Sequence, residues 1–176
     1  MIGRIEFYKG HYDLLEAVKQ LPKHYKSKVK FLIVGNGKKN EIKKISKIIN
    51  KNNIGDVVKL LGYLDYESID IISNFDLCLM LTKDFEGFGL TILEAIHAET
   101  PFIATEVGAV CEFVDEKIGS IIPPNNPEIL LSKIIDFIDH YSIWKKKSYR
   151  SRNLFLSKKI MMHKSYYNLM VDKDKI

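Results

Sequence analysis

The stretch Phe85-Glu86-Gly87-Phe88-Gly89-Leu90-Thr91-Ile92-Leu93-Glu94-Ala95 comes straight after the apolar run Leu77 to Leu81. Strand, glycine loop and helix in that order make a βα unit with the parts of an anion site. Glycines let backbone N–H groups approach a phosphate, and the N-terminus of the following helix adds partial positive charge. The same order also serves an ordinary βα turn that needs only glycine conformations, so any chemistry has to come from the neighbours.

Outward from this unit the pattern repeats. Short apolar, β-branched runs at Ile2 to Ile5, Val29 to Val34, Val57 to Leu61, Leu77 to Leu81, Phe102 to Ala104 and Gly119 to Ile122 alternate with helical periodicity. The helices are expected at Tyr12–Gln20, Lys39–Lys51, Tyr66–Ser73, Leu90–Ala98, Ala109–Val114 and Pro127–His140, with a tail of two more from about Ile143 to Met170. This is the signature of a parallel sheet covered by helices: an α/β, Rossmann-like, three-layer domain with six parallel strands. Asp65 is placed to cap the third helix, and Pro101 directly precedes the fifth strand. The first strand looks clipped at the Gly3-Arg4 turn, which suggests a boundary close to the edge of the fold.

The chain has 176 residues, the length of one domain, and a net charge of +5 that comes mainly from lysine. An acidic partner such as a nucleotide phosphate or an anionic membrane surface fits that balance, as does simple compositional bias. Nucleic acid is not expected, because the lysines are spread over several helices without an aromatic-rich basic stripe. Cys78 and Cys111 stand singly, without metal or disulfide spacing, and read as reduced packing residues of a cytoplasmic protein. No run approaches the ~20 apolar residues of a membrane span.

Two carboxylates frame the central loop. Across a fully helical stretch the backbones of Glu86 and Glu94 would lie about 12 Å apart. Glycosidase carboxylates that share one bond sit roughly 5 to 9.5 Å apart, so hydrolysis suits this pair poorly. The span fits the two ends of a nucleotide sugar better, with one carboxylate at the sugar hydroxyls and the other at the ribose diol; a surface salt bridge is the plainer role for Glu94. Gly3-Arg4 and Lys9-Gly10 follow the first strand. Strand C-termini share one crevice in a parallel sheet, so Arg4 and Lys9 should face the Glu86 loop there and could hold a diphosphate, although each alone also reads as a solvated charge. Gly35-Asn36-Gly37 is too short for the dinucleotide fingerprint but places backbone at the same crevice, and Gly62 and Tyr63 could line a nucleobase pocket or simply pack. His97, without a partner at ligand spacing, reads as structural.

In order, Gly3-Arg4, Lys9-Gly10, Val34-Gly35-Asn36-Gly37, Leu61-Gly62, Glu86-Gly87-Phe88-Gly89-Leu90, Glu94-Ala95, Pro101 and Val107-Gly108 resemble the retaining nucleotide-sugar glycosyltransferases of family 4. The resemblance runs from Gly3 to about Asn126. It implies a GT-B enzyme, two Rossmann-like domains facing across a cleft without an essential metal or other cofactor. This chain would be the C-terminal, donor-binding domain over residues 1–176, and the N-terminal acceptor domain would lie outside it. By the same resemblance Arg4 and Lys9 would neutralise the departing diphosphate of a UDP- or GDP-sugar, and Glu86 would hold the sugar. The backbone of Phe88, Gly89 and Leu90, with Thr91, would contact phosphate or sugar, and Glu94 would take the ribose hydroxyls. The implied activity is retaining transfer of a hexose to a glycan or glycolipid in surface polysaccharide synthesis, with weak binding and little transfer by this chain alone. Glu99 stands where the family usually has glycine, so the turn before Thr100-Pro101 or the pocket should differ.

Three other readings share the sequence. A non-catalytic nucleotide-sugar-binding subunit would pair with a separate acceptor-domain protein. A Rossmann dehydrogenase domain would need the full glycine fingerprint and its distal acidic residue, which are lacking. Lys145, Lys146, Lys147, Arg150 and Arg152 form a basic run that could touch anionic lipid at the inner face of the membrane, or be a solvated helix face.

Overall fold

The computed structural model describes the backbone of residues 1–171 and the side chains of residues 1–157. A 3₁₀ turn at Phe7–Lys9 leads into α1 (His11–Gln20) and a short α2 (Lys23–Lys26). There follow β1 (Phe31–Val34), α3 (Lys39–Lys51), β2 (Val58–Gly62), α4 (Ser68–Ser73), β3 (Cys78–Met80) and α5 (Leu90–His97). The chain continues through β4 (Phe102–Thr105), α6 (Val110–Phe113), β5 (Ser120–Ile122), α7 (Pro127–Asp139) and α8 (Tyr141–Val171).

Every strand pairing is parallel, but the described strands form a pair, β1-β2, and a trio, β3-β4-β5, in place of one six-stranded sheet. The expected first strand makes only two isolated parallel bridges to the β1 side, Ile2 to Val34 and Ile5 to Gly37. The cause is local. Gly3 sits at φ +136 and Gly35 at +134, and a Cβ on Gly35 would collide with the Gly3 carbonyl. The segment is therefore laddered by Gly3 N–H to Val34 O (2.9 Å) and Ile5 N–H to Asn36 O (2.8 Å) without holding strand geometry between them.

Period-two alternation builds the three layers. Leu79 and Leu81 with Ile103 face a core made with α1, α3 and α7, which supply residues such as Leu14, Val18, Ile45, Ile49, Leu130 and Ile134. Cys78 and Met80 with Phe102 and Ala104 face the opposite core, where α5 contributes Ile92, Ala95 and Ile96. A strand buried on both faces is a continuous apolar run, which is why Leu77 to Leu81 carries no polar residue. Asn126 caps α7 by accepting from Ile129 N–H (3.0 Å), with Pro127 in the first turn.

Several expectations need correction. Asp65 caps nothing: α4 starts later, after Glu67, without a side-chain cap. The tail is one helix, because residues 141–171 contain neither glycine nor proline to interrupt it. The apolar tail side chains at Ile160–Met162 and Tyr166–Met170 lie outside the described residues. Cys78 is buried, but Cys111 is exposed on α6 and so is not a core residue. The basic run is partly tied down, since Lys147 Nζ donates to Gly119 O (2.9 Å) and Arg152 Nη1 pairs with Glu99 Oε1 (3.4 Å). No described helix is long and apolar enough to cross a membrane.

Glu99 closes the turn before Thr100-Pro101 in the conformation that glycine favours. It adopts φ +54, with its N–H donating to Ile96 O (3.2 Å) and Thr100 N–H donating to Ala95 O (2.9 Å). This is the left-handed position after a helix C-cap that glycine usually fills. A side chain there costs about 1 kcal/mol or more. Glu99→Gly should therefore be more stable than Glu99→Ala by about 1 kcal/mol, since both lose the Arg152 contact and only glycine relieves the backbone; urea unfolding of the two variants measures the difference.

Candidate functional site

The site is built where two loops meet at the C-terminal edge of the strands. Gly10, at φ +78, lies so close to β3 that a Cβ there would strike the Leu81 carbonyl. Gly108, at φ +66, lies against the backbone of Glu86 in the same way. These contacts bring the arm carrying Lys9 and the loop carrying Glu86 together, and Lys9 Nζ donates to Glu86 Oε2 at 2.8 Å. Thr82 Oγ1 donates to the same oxygen at 3.0 Å, and Thr82 is itself fixed because its carbonyl accepts from Thr105 Oγ1 at 2.6 Å.

A cavity of about 280 Å³ opens on this pair. Gly3, Arg4, Lys9, Thr82, Glu86 and Gly87 through Thr91 line it. Gly89, at φ +73, is the N-cap of α5, so the first turn of that helix points its amides at the cavity. Burial opposes ionisation of Glu86, but the bonds from Lys9, Thr82 and the Gly89 N–H outweigh it and hold the carboxyl below its usual range. Glu86 is thus a carboxylate at neutral pH, a hydrogen-bond acceptor rather than an acid. Two cations, a helix N-terminus and a fixed carboxylate together can seat an anion next to a hydroxyl-bearing group.

A second, more apolar cavity of about 570 Å³ shares Ile2, Gly3 and Arg4 with the first and extends along Val34 to Lys38, Tyr63, Leu64, Tyr66, Ser68 and Ile71. Gly35 lines it, and Gly62, at φ +71, shapes it by accepting the Gly35 N–H at 2.7 Å. Tyr63 and Tyr66 are exposed along its wall.

The expected residues therefore converge, with two exceptions in detail. Arg4 lines both cavities, but its side chain is 73% exposed and its nearest anion is Glu6, 3.5 Å away. Glu94 does not line the first cavity. It accepts from Ser68 Oγ at 2.5 Å and so sits behind the wall of the second. Phe88 and Leu90 line the first cavity with largely exposed side chains, Phe88 stacking on Phe113 with centroids 6.0 Å apart, and Gly89 between them is buried. His97 is exposed. Thr82, Glu6 and Ser68 were not singled out from sequence; only Thr82 left a signal, as the polar residue ending a buried strand. Among the described residues no three His, Cys, Asp or Glu side chains gather as a metal cluster would require.

The glycine loop, paired charges and parallel strands define an α/β domain with an anion-type cavity at the C-terminal edge of its strands. The chain belongs to the glycosyl transferases group 1 family, whose profile matches residues 1–154. An uncharacterized glycosyltransferase of Methanocaldococcus jannaschii is 30% identical over 145 residues, covering 82% of this chain and 39% of that protein. The GtfA subunit of a UDP-N-acetylglucosamine–peptide N-acetylglucosaminyltransferase from Streptococcus agalactiae is 30% identical over 165 residues, covering 88% and 31%. Anabaena HepE in complex with UDP superposes with a TM-score of 0.81 at 19% identity, covering 97% of this chain and 47% of HepE, a likeness of fold. The chain thus spans less than half the length of these relatives.

His11, at the first cavity's floor, is 1% exposed. Burial pushes its imidazole down to about 4, against a partial pull upward from the Glu6 carbonyl. A depressed histidine value means that the unfolded chain binds a proton that the folded chain does not. The stability is full above about pH 6.5 and is lost as pH falls toward 4, by up to about 3 kcal/mol. His11→Gln should flatten the stability profile between those limits, as read from unfolding midpoints at pH 7, 6 and 5.

Proposed function

We propose that this chain is the donor-binding part of a retaining, family 4-type hexosyltransferase that uses a UDP- or GDP-sugar to extend a glycan or glycolipid of a surface polysaccharide. The convergence of Arg4, Lys9 and Glu86 on one cavity at the N-terminus of α5 carries this reading.

In this reading the diphosphate lies between Arg4, Lys9 and the amides of Gly89, Leu90 and Thr91, and the donor sugar reaches Glu86. The ribose lies toward Glu94 and Ser68, and the base occupies the second cavity between the Gly35 turn and Tyr63. As the bond between sugar C1 and the diphosphate oxygen breaks, the acceptor hydroxyl adds to C1 on the same face and its proton passes to the leaving phosphate. Charge builds on the diphosphate, so preorganised cations and amides are the chief protein contribution. No nucleophilic side chain, metal or other cofactor enters this scheme. The acceptor is held by a further domain or chain. That the Streptococcus relative is named as a subunit supports a two-chain arrangement, in which this chain alone would bind donor without transferring it. The work would take place in the cytoplasm, at the inner face of the membrane if the acceptor is lipid-linked, where exposed Lys146 and Arg150 would face anionic headgroups.

Calorimetric titration with UDP, GDP and their sugars tests the site. One nucleotide should bind weakly, and Lys9→Met or Arg4→Ala should weaken it by tenfold or more, in keeping with about 1.5 to 3 kcal/mol per charged hydrogen bond. Absence of heat with every nucleotide would remove the donor-binding reading.

A further inference from the structure

We propose that the Asp13–Lys83 ion pair is a positioning clamp for Lys9, holding its arm at the anion cavity when a diphosphate draws the ammonium away from Glu86. This rests on the donor-binding reading above.

Lys83 follows Thr82 at the end of β3 and turns away from the cavity. Its Nζ meets Asp13 Oδ1 at 2.8 Å, and the side chains of the pair are only 10% and 16% exposed. Lys83 also holds the arm in two further places: its backbone N–H donates to Tyr8 O at 2.7 Å, and its ammonium lies 5.2 Å from the centre of the Phe7 ring. One residue of the central loop thus grips the arm on both sides of Lys9, at Phe7 and Tyr8 before it and at Asp13 after it.

The pair differs in kind from the exposed Lys19–Glu16 and Lys44–Glu41 bridges, which join neighbouring turns of one helix. Asp13 and Lys83 are 70 positions apart and connect separate elements. Low exposure keeps the pair from being screened as surface pairs are, and loss of either partner leaves a poorly solvated charge.

The need for a second link follows from what Lys9 does. The Lys9–Glu86 bond itself ties arm to loop. A bound diphosphate competes for the same ammonium, so the tie weakens when accurate placement matters most, and a displacement of about 1 Å can cost a hundredfold. Asp13–Lys83 connects the same two segments through groups that face no ligand cavity, so it persists through that exchange.

The test compares the wild-type chain with Asp13→Asn, Lys83→Arg and the reciprocal pair Asp13→Lys with Lys83→Asp, well below their unfolding temperatures. Amide hydrogen exchange over residues 7–10 is measured alongside affinity for UDP or GDP, whichever the wild type binds, and for the matching nucleoside. Asp13→Asn should speed exchange in that segment and weaken the nucleoside diphosphate roughly tenfold. Nucleoside affinity should stay unchanged, and Lys83→Arg or the reciprocal pair should restore much of the loss. Unchanged exchange, or a parallel loss of both ligands, would overturn the clamp. If exchange quickens while the wild type binds neither diphosphate, the donor-binding reading fails by itself and the pair is reduced to a folding contact.

Discussion

The site depends on one ion pair, Lys9 to Glu86 at 2.8 Å, with the two side chains only 24% and 17% exposed. Partly desolvated charges at this distance attract strongly only if both loops are held in place, because disordered side chains would give back the gain as entropy. The backbone does that holding. Gly10 lets the arm lie against the Leu81 carbonyl, and Gly108 lets the next loop lie against Glu86. Each glycine stands where a β-carbon would separate the loops and break the pair.

The sheet decides where those loops end. Leu79 and Ile103 face one core and Cys78, Met80, Phe102 and Ala104 the other, so β3 and β4 are fixed on both faces. Parallel strands held this way release their loops at a common edge, and the apolar core below that edge keeps water from the buried side of His11 and Thr82. Stability and site are linked at these residues, since a neutral His11 is a condition of the packed floor and a bonded Thr82 is a condition of the Glu86 geometry.

Much of this was legible in the sequence because it was written in period and punctuation. Alternating apolar runs and helices marked all five described strands and one segment, Ile2 to Ile5, that makes only isolated bridges, and Lys39–Lys51 matched its expected limits. Motif order pointed to nucleotide-sugar glycosyltransferases of family 4, and the group 1 glycosyltransferase family is the coarser membership shown. What escaped was set by tertiary contact. The turn at Gly3-Arg4 was visible, but its cause, the close approach of Gly3 to Gly35, was not, and the Ser68 bond to Glu94 joins residues 26 positions apart. Glu99 stands where the family usually has glycine, which marked the turn or the pocket as a place of difference. In the fold the hydrogen bonds after α5 impose positive φ there, and Arg152 meets the carboxylate.

The charged groups of the site bond to one another within the chain. Arg4 lies near Glu6, Lys9 holds Glu86, and Ser68 holds Glu94. A ligand entering such a site exchanges bonds and gains only the difference between old and new partners. One carboxylate oxygen of Glu6 is buried without a described hydrogen-bond partner, so an Arg4 that turned to a ligand would leave Glu6 a poorly solvated carboxylate, and that cost is set against the new bond. Arg4 is also the most exposed of these groups and is common to both cavities, which makes it the cation through which an anion would first be felt. In the donor-binding reading exchange would therefore begin at exposed Arg4 and reach the less exposed Lys9–Glu86 pair after it.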